Sequence, residues 1–593
     1  MIYHLKIPNS SPPQYKRDSK RMAELSWNFH NDLQSDDLST FDNSNEHERK
    51  LNDIMDNIPN SQRLPDPHMT QMNWNATQDQ IAKAIDLGKN KTATGLDGCP
   101  YELWKTLKAR HARLSTQPNA KSFDIIKVLT EVLADIQNHG IDPKTKFAHA
   151  WMCPAFKKKD PMEIGNYRPI NILNTDYKIL TKVMALQLND YAHSLIHRDQ
   201  AGFIPRRSIF NHICLAKAII NYAEITKIDG TIITLDQEKA YDKIRHDYLW
   251  RILEAFHLPP PFINTLKSLY DQAYTCVAIN GIMSTPYQVC RGVHQGDPLS
   301  CLIFNLAIEP LACLLRNNPF LRGLQIPSLV EKVITKFFAN NTSLYLSSTD
   351  CFDHVFQILR NWCEVSGAKF NIEKTEIIPI GTPEHHERIL NTRKINTQDQ
   401  ITLDVRIKIA ADGKAIRFLG VWLGNNIDDA APWEPVLNNI NKSLTFWKEA
   451  HPSMAGRKLI IQTVVGGHTQ FLAKVQGMPE NIVSTLTKTI CDFMWEEDSS
   501  PRIALDLLQR PKSCGGLNLL DIKACNKAIE IMWLKSYLNF SPSHPEWATV
   551  TDLLLAATAH PITIKRARKN PFLQTWEEAK QGSQARQLNS DIT

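Results

Sequence analysis

The sequence predicts a mixed fold: an α/β or α+β body from 146 to about 350, then an all-helical region beyond about 425. Three observations predict it. Strand-like runs ("HAWMCPAF", "GTIITLD", "YTCVAING", "KFFAN") alternate with long helical patterns in the first region. After 425 the pattern is helical almost throughout, with Trp433, Phe446, Trp447, Phe493 and Trp495 as expected core aromatics. A hydrophobic content of 42% against 22% charged residues supplies ample core.

Residues 1–75 are polar, with an acidic patch "DLQSDDLSTFDNSNEHE", and are expected to be loosely ordered or helical packing matter. Thr77 and Gln80 have capping-box spacing, and Ile81, Ala84 and Ile85 then line one helical face. A Gly-rich turn follows in "KTATGLDGCPYELWK". A further helix is expected over 176–192, where Ile179, Leu180, Val183, Met184 and Leu188 share a face. The stretch "VITKFFANNTSLYLSS", Val333 to Ser348, reads as a β-hairpin with an Asn-Asn tip, since Asn tolerates the positive φ of tight turns.

At 593 residues, roughly three or four domains are expected. No apolar run approaches the ~18 residues of a membrane span, and the first twenty residues lack the apolar core of a secretory signal. The twelve cysteines are scattered singly, as reduced and mostly buried thiols would be, with neither a disulfide framework nor a zinc pattern. A net charge of +6 permits a nucleic-acid partner without demanding one.

Three segments carry chemistry. In "TIITLDQEKAYDKIRHDYL" a β run ends on Asp236; a carboxylate there is either a metal ligand at a cleft rim or the cap of the next helix. Tyr241 would pack beside such a site or in the core. In "CRGVHQGDPLSCLIFNLAIEPLACLLR" a Gly-Asp-Pro turn opens an apolar helix; Gly296 would allow close approach of a strand or a base, and Gln295 offers amide hydrogen bonds. In "WMCPAFKKKDPMEIGNYRPINILNTDYKIL", Lys157–Lys159 and Arg168 sit on the arms of a hairpin, as solvated surface or as a grip for phosphates.

The order of these segments, followed by "FFANN", "GAKFNIEKTE" and "RFLGVWLG", resembles the motif series of reverse transcriptases, and more closely those of LINE-type, non-LTR retrotransposons. The resemblance runs from 91 to 525 and includes "ATGLDGCPYELW", "NYRPINILNTDYKILTKVMALQL", "QAGFIPRRSI" and "RPKSCGGLNLLD". It implies an α+β right-hand polymerase with a ferredoxin-like palm sheet and an all-α C-terminal region. The expected divisions are a polar segment (1–75), a helical lead-in (76–145), fingers and palm (146–424), thumb (425–500) and a C-terminal helical region with tail (501–593).

The same resemblance implies an RNA-directed DNA polymerase acting on an RNA template, a DNA primer and deoxynucleoside triphosphates through two Mg²⁺ ions, with no membrane partner. Asp236 matches the palm carboxylate, with Leu235 or Gln237 flanking it by backbone carbonyls. Tyr241 matches the aromatic under the incoming sugar, and Asp242 is expected to be structural. Gln295 and Gly296 match the segment shaping the nascent pair, Lys157 or Lys158 with Arg168 the triphosphate contacts, and Lys374 the proton donor to pyrophosphate. "FLGVWLG" matches the primer grip. An endonuclease usual in such elements is not recognised before 91, nor an RNase H after 525, so the chain is expected to be part of a longer frame. An intracellular place of action is implied, nuclear by the resemblance alone, since "KRARK" (565–569) reads either as a nuclear address or as a solvated helix face.

The departure falls at the hairpin, where the family has an aromatic, Ala and Asp-Asp, and this chain has Phe338, Ala339, Asn340 and Asn341. Losing two carboxylates from a site for two cations implies an inactive or impaired polymerase, or a non-catalytic RNA/DNA-binding protein that keeps the cleft. Three other positions depart: His294 and Gln187 where Arg is usual, and Arg206 where Gly is usual, a residue a positive φ would demand. Each of the five differences is reachable by one G-to-A change, which suggests decay of one element copy. Sibling copies in the same genome are then expected to encode Asp at 340 and 341; sequencing them checks this, and Asn-Asn in intact siblings would refute decay.

Overall fold

The run Gly230–Asp236 is β-branched and buried along nearly its whole length, which makes it a central strand covered on both faces. In the computed structural model, which describes residues 1–8, 10–35, 44–66, 74–118, 120–495, 503–541 and 544–558, it lies in the middle of a five-stranded sheet. The order is Lys408–Ile409, Glu376–Ile380, Gly230–Asp236, Asn341–Ser347, Thr335–Phe338. All neighbours are antiparallel except the first pair. The register sets Asn341 opposite Asp236.

A second sheet has the order Tyr167–Leu173, His149–Phe156, Tyr274–Ile279, Ile282–Met283. Its first pair is the basic hairpin expected from the sequence, with Arg168 opposite Ala155. The segment "RFLGVWLG" forms a hairpin of Ile416–Phe418 and Val421–Leu423. Its two loop residues, Leu419 and Gly420, have φ of 47° and 94°, the signature of a type I′ turn. The chain is thus a mixed α+β protein, with helices dominating beyond 425.

Local signals produced the expected elements. Thr77 caps the helix Gln78–Leu87 with both capping-box bonds to Gln80 made, and Ile81, Ala84 and Ile85 are buried. The helix Thr175–Asn189 buries Ile179, Leu180, Val183, Met184 and Leu188. The helix Ser300–Asn317 is long and apolar enough to cross a membrane, contrary to the sequence expectation, but 78% of it is buried inside the fold, as a core helix is.

Other expectations are corrected. Phe446 and Trp447 are not core residues: they stand 66% and 43% exposed, whereas Trp433 and Phe493 are buried. Among the twelve free thiols only Cys313 is buried, and Cys153, Cys290 and Cys514 are exposed. The hairpin tip is Ala339-Asn340 rather than Asn-Asn, because Phe338 pairs with Asn341. The positive φ belongs to Ala339, at 54°, which at the first loop position alone is the pattern of a type II′ turn. Part of the acidic patch and the run "KRARK" lie outside the described residues.

Beneath the hairpin lies a buried ion network. Lys336 on the Thr335–Phe338 strand binds Asp199 and Glu546, each at 2.6 Å. Asp199 also meets Arg316 at 3.2 Å and His197 at 3.0 Å, and His197 reaches Glu331 at 3.1 Å. Burial opposes the charge on His197, but its bonds to Asp199 and Glu331 outweigh it and lift the pKa to about 9. The folded value lies above the ordinary 6.5, so this stabilisation is whole below the ordinary value and is lost as pH rises through the folded one, at most about 3 kcal/mol. We expect the melting temperature to fall between about pH 7 and 9 in the native chain, and His197→Gln to flatten that slope in a thermal melt series.

Candidate functional site

Asp236 ends the central strand and Asn340 tops the neighbouring hairpin, so the ladder brings both to one rim. The Asp236 carboxylate accepts from the Lys374 ammonium through Oδ2 and from the Asn340 amide at 3.5 Å through Oδ1. Lys374 is placed by the short turn Ile372–Lys374, capped by the Asn371 side chain, while the Asn371 N–H donates to the Asp236 carbonyl at 2.8 Å. Asp236 caps no helix; the following short helix Ala240–Lys243 starts at Lys239 without a side-chain cap.

These groups open onto a cavity of about 610 Å³. Lys157, Lys158, Arg168, Asp236, Gln237, Tyr241, Gln295, Gly296, Asn340 and Lys374 all line it. Leu235 and Asn341 do not: Leu235 is buried within the ladder, and the Asn341 amide turns to the Phe338 carbonyl at 3.5 Å. Tyr241 stacks on Phe304 at 4.7 Å between ring centres, and its hydroxyl lies 3.7 Å from the Cys301 sulfur. Asp242 also stands in the cavity wall, where burial pushes its carboxyl up to about 6 against the pull of Lys239. Burial, together with the charges of Lys374 and Arg168, holds the Lys157 ammonium below its ordinary range.

Gly296 has φ of 131°, and a Cβ there would stand 2.3 Å from the Asn171 carbonyl oxygen. Its need for glycine is thus close approach to a strand, reinforced by the Asn171 N–H donating to the Gln295 carbonyl at 2.8 Å. His294 is buried and stacked on Tyr270, and burial with His246 lowers its pKa to about 4, so it is neutral. Its Nδ1 lies 3.2 Å from the Asn171 amide, and its Nε2 has no partner.

Two parts of the site lay outside the sequence expectations. The helix Ser19–Ser35 contributes Phe29, His30 and Leu33 to the cavity wall, and Lys239 sits 4.0 Å above the Phe29 ring. Its buried face includes the polar Ser26, His30 and Gln34, which an apolar-period reading does not see. Gln34 accepts the N–H groups of Cys290 and Arg291 at 2.9 and 3.1 Å. The second is Gln200, whose side-chain oxygen accepts the N–H groups of Ala339 and Gly202, each at 2.8 Å, and whose amide donates to the Ala339 carbonyl at 3.3 Å. It braces the one strained residue of the hairpin. Away from the cavity, Cys351, Asp353 and Asp399 cluster, but the carboxylates accept the N–H groups of Phe352, Asn396, Gln400 and Ile401, a capping arrangement.

A family model described as reverse transcriptase (RNA-dependent DNA polymerase) matches residues 156–423, which run from the end of the basic hairpin's first strand to the end of the Val421–Leu423 strand. An uncharacterized 149 kDa protein of transposon TX1 from Xenopus laevis is 27% identical over 487 residues, 80% of this chain and 34% of its own. The Pol polyprotein of the R2DM retrotransposable element of Drosophila melanogaster is 25% identical over 231 residues, 38% of this chain and 21% of its own. Residues 156–423 thus match the reverse transcriptase family, and the relatives named are proteins of non-LTR retrotransposons. A probable RNA-directed DNA polymerase from transposon BS, also of Drosophila melanogaster, is 25% identical over 218 residues, 35% of this chain and 23% of its own. The chain spans about a third or less of the length of these relatives.

Gln200→Ala removes three buried hydrogen bonds, two to Ala339 of the hairpin and one to Gly202, and leaves the Ala339 N–H without its Gln200 partner. We expect a loss of about 1–3 kcal/mol in denaturant unfolding, with the change concentrated in amide exchange at 337–341.

Proposed function

We propose that this chain is the polymerase region of a retrotransposon protein, an RNA-directed DNA polymerase by descent that is catalytically impaired in this copy. On this reading the two sheets are fingers and palm, the palm is ferredoxin-like, and the helices beyond 425 are thumb and C-terminal region. The divisions at 75, 145, 424 and 500 follow the same assignment. RNA template, DNA primer and deoxynucleoside triphosphates would meet at the cavity beside Asp236, in the nucleus.

One observation carries the impairment. At the rim the hairpin supplies only the Asn340 amide, the Asn341 amide turning to the Phe338 carbonyl, and the Asp236 carboxylate is already paired with an ammonium. Hard divalent cations take charged oxygen ligands, so this donor set does not fit a pair of Mg²⁺ ions. Tyr241 would still bound the sugar pocket, and Gln295 with Gly296 the space of the nascent base pair. Lys374, held on Asp236, is engaged as a counter-ion rather than free to protonate a leaving group.

The alternative, a non-catalytic RNA/DNA-binding protein, is favoured by the contrast between the lost metal donors and the retained basic wall of Lys157, Lys158 and Arg168. Primer extension on an RNA template separates the two. The native chain is expected to extend at least roughly a hundredfold more slowly than the Asn340→Asp/Asn341→Asp variant. Incorporation by the native chain that disappears in Asp236→Ala would overturn the impairment. Silence of the double reversion, with salt-sensitive template binding retained, would establish the binding-protein reading and point to Arg206, His294 and Gln187 as further lesions.

A further inference from the structure

The charge around the cavity has the opposite sign to that of a cation site. Lys157, Lys158 and Arg168 line it, and none of the three has a carboxylate partner among the described residues. Facing them, Asp236 has both oxygens engaged, by the Lys374 ammonium and the Asn340 amide. Glu238 lies 3.9 Å from Lys369. With Asp242, whose carboxyl burial pushes up to about 6, the acids Asp236, Glu238 and Asp242 are outnumbered by Lys157, Lys158, Lys159, Arg168, Lys239 and Lys374 on the wall. The cations also crowd one another: Lys374, Arg168 and Lys158 all disfavour the charged form of Lys157, beyond the effect of its burial, with Asp236 acting the other way. An anion brought among them relieves both the repulsion and the unpaired charge.

Resting on the reading that this rim does not hold two metal ions, we propose that the cavity is a metal-independent polyphosphate site, taking a nucleoside triphosphate free of divalent cation, with the Lys374 ammonium providing positive charge where a metal would. A run of phosphates suits it because Arg168 offers a planar fork and the lysines compact point charges. The ammonium of Lys374 stands at the rim between Asp236 and the basic wall, so a phosphate can share it. Divalent cation acts against such binding. Mg²⁺ neutralises part of the triphosphate charge and would meet the Lys374 ammonium beside an Asp236 carboxylate that is already paired. In a site with three rim carboxylates the sign is reversed, because the metal bridges ligand and protein.

The test is equilibrium binding of dTTP to the full-length chain, once with EDTA and once with excess Mg²⁺. We expect binding in EDTA, weakened roughly fivefold or more by Mg²⁺. Lys374→Gln and Lys157→Gln are each expected to weaken the EDTA affinity roughly tenfold. In Asn340→Asp/Asn341→Asp the effect of Mg²⁺ should change sign, with tighter binding when the metal is present. Inorganic tripolyphosphate should displace dTTP; if it does not, the phosphates are not what is recognised and the proposal fails. It fails equally if the native chain binds dTTP only with Mg²⁺, or in neither buffer. Salt-sensitive binding of an RNA template by the same preparations, with circular dichroism for folding, is read alongside. Loss of RNA binding with dTTP binding intact would count against the polymerase-descent reading and leave this site standing.

Discussion

Everything at the rim depends on the register that sets Asn341 opposite Asp236. Side chains alternate between sheet faces, so a slip of one residue would turn the hairpin tip away from the Asp236 carboxylate and bury polar groups in the core. The register is held from both sides of the hairpin. Along the ladder, Leu344 and Leu346 are fully buried. At the tip, the segment 199–202 reaches across to it: Phe337 donates to the Asp199 carbonyl, Ala201 donates to the Phe337 carbonyl, and Gln200 brackets Ala339. Gly202 lacks a Cβ because the Ala339 nitrogen would stand 2.3 Å from it. The placement of Asn340 against Asp236 follows from backbone packing and needs no metal to organise it.

The five residues read from the sequence as departures from the family pattern are accommodated in different ways. Arg206 carries a φ of 63° at an exposed turn, a conformation that costs a residue with Cβ about 1–2 kcal/mol. His294 is accepted in the interior because it stays neutral there. Gln187 is buried with its amide reaching the Trp74 carbonyl and the Gln80 side chain, while its own oxygen finds no partner. Asn340 and Asn341 leave the hairpin geometry to the residues around them. On the proposed reading, fold and chemistry part company at these positions: the scaffold pays small local penalties, whereas the rim would lack the charges on which cation binding relies.

How much of this was legible in the sequence differs by residue. The central strand announced itself as a β-branched run, the helix after Thr77 by its capping box, and the site by the order of its motifs. The brace by Gln200 was hidden, because a side-chain amide that bonds a backbone 139 residues away leaves no local pattern. So was the wall built by Phe29 and His30, since the helix that carries them buries Ser26, His30 and Gln34 through specific hydrogen bonding and stacking rather than by apolar periodicity. Phe446 and Trp447 misled for the converse reason: aromatic character marks surface that can be buried without saying that it is. Gly296 was recognised as a close-approach residue, but only the fold could say that the neighbour is the Asn171 carbonyl.

The ion pair between Lys336 and Glu546 separates two notions of a unit in this chain. The family-model match ends at 423, yet the ammonium lying under its hairpin is neutralised in part by a carboxylate more than a hundred residues later. The helix Glu546–Thr558 that bears this carboxylate also packs Trp547, Ala548 and Leu554 into the apolar cluster of Ile213, Ile219 and Ile220. A polypeptide cut at the end of that match would therefore carry a sequestered cation without half of its counter-charge, and an uncovered apolar face beside it. What is inherited as a module and what can stand alone in water are different lengths of the same molecule.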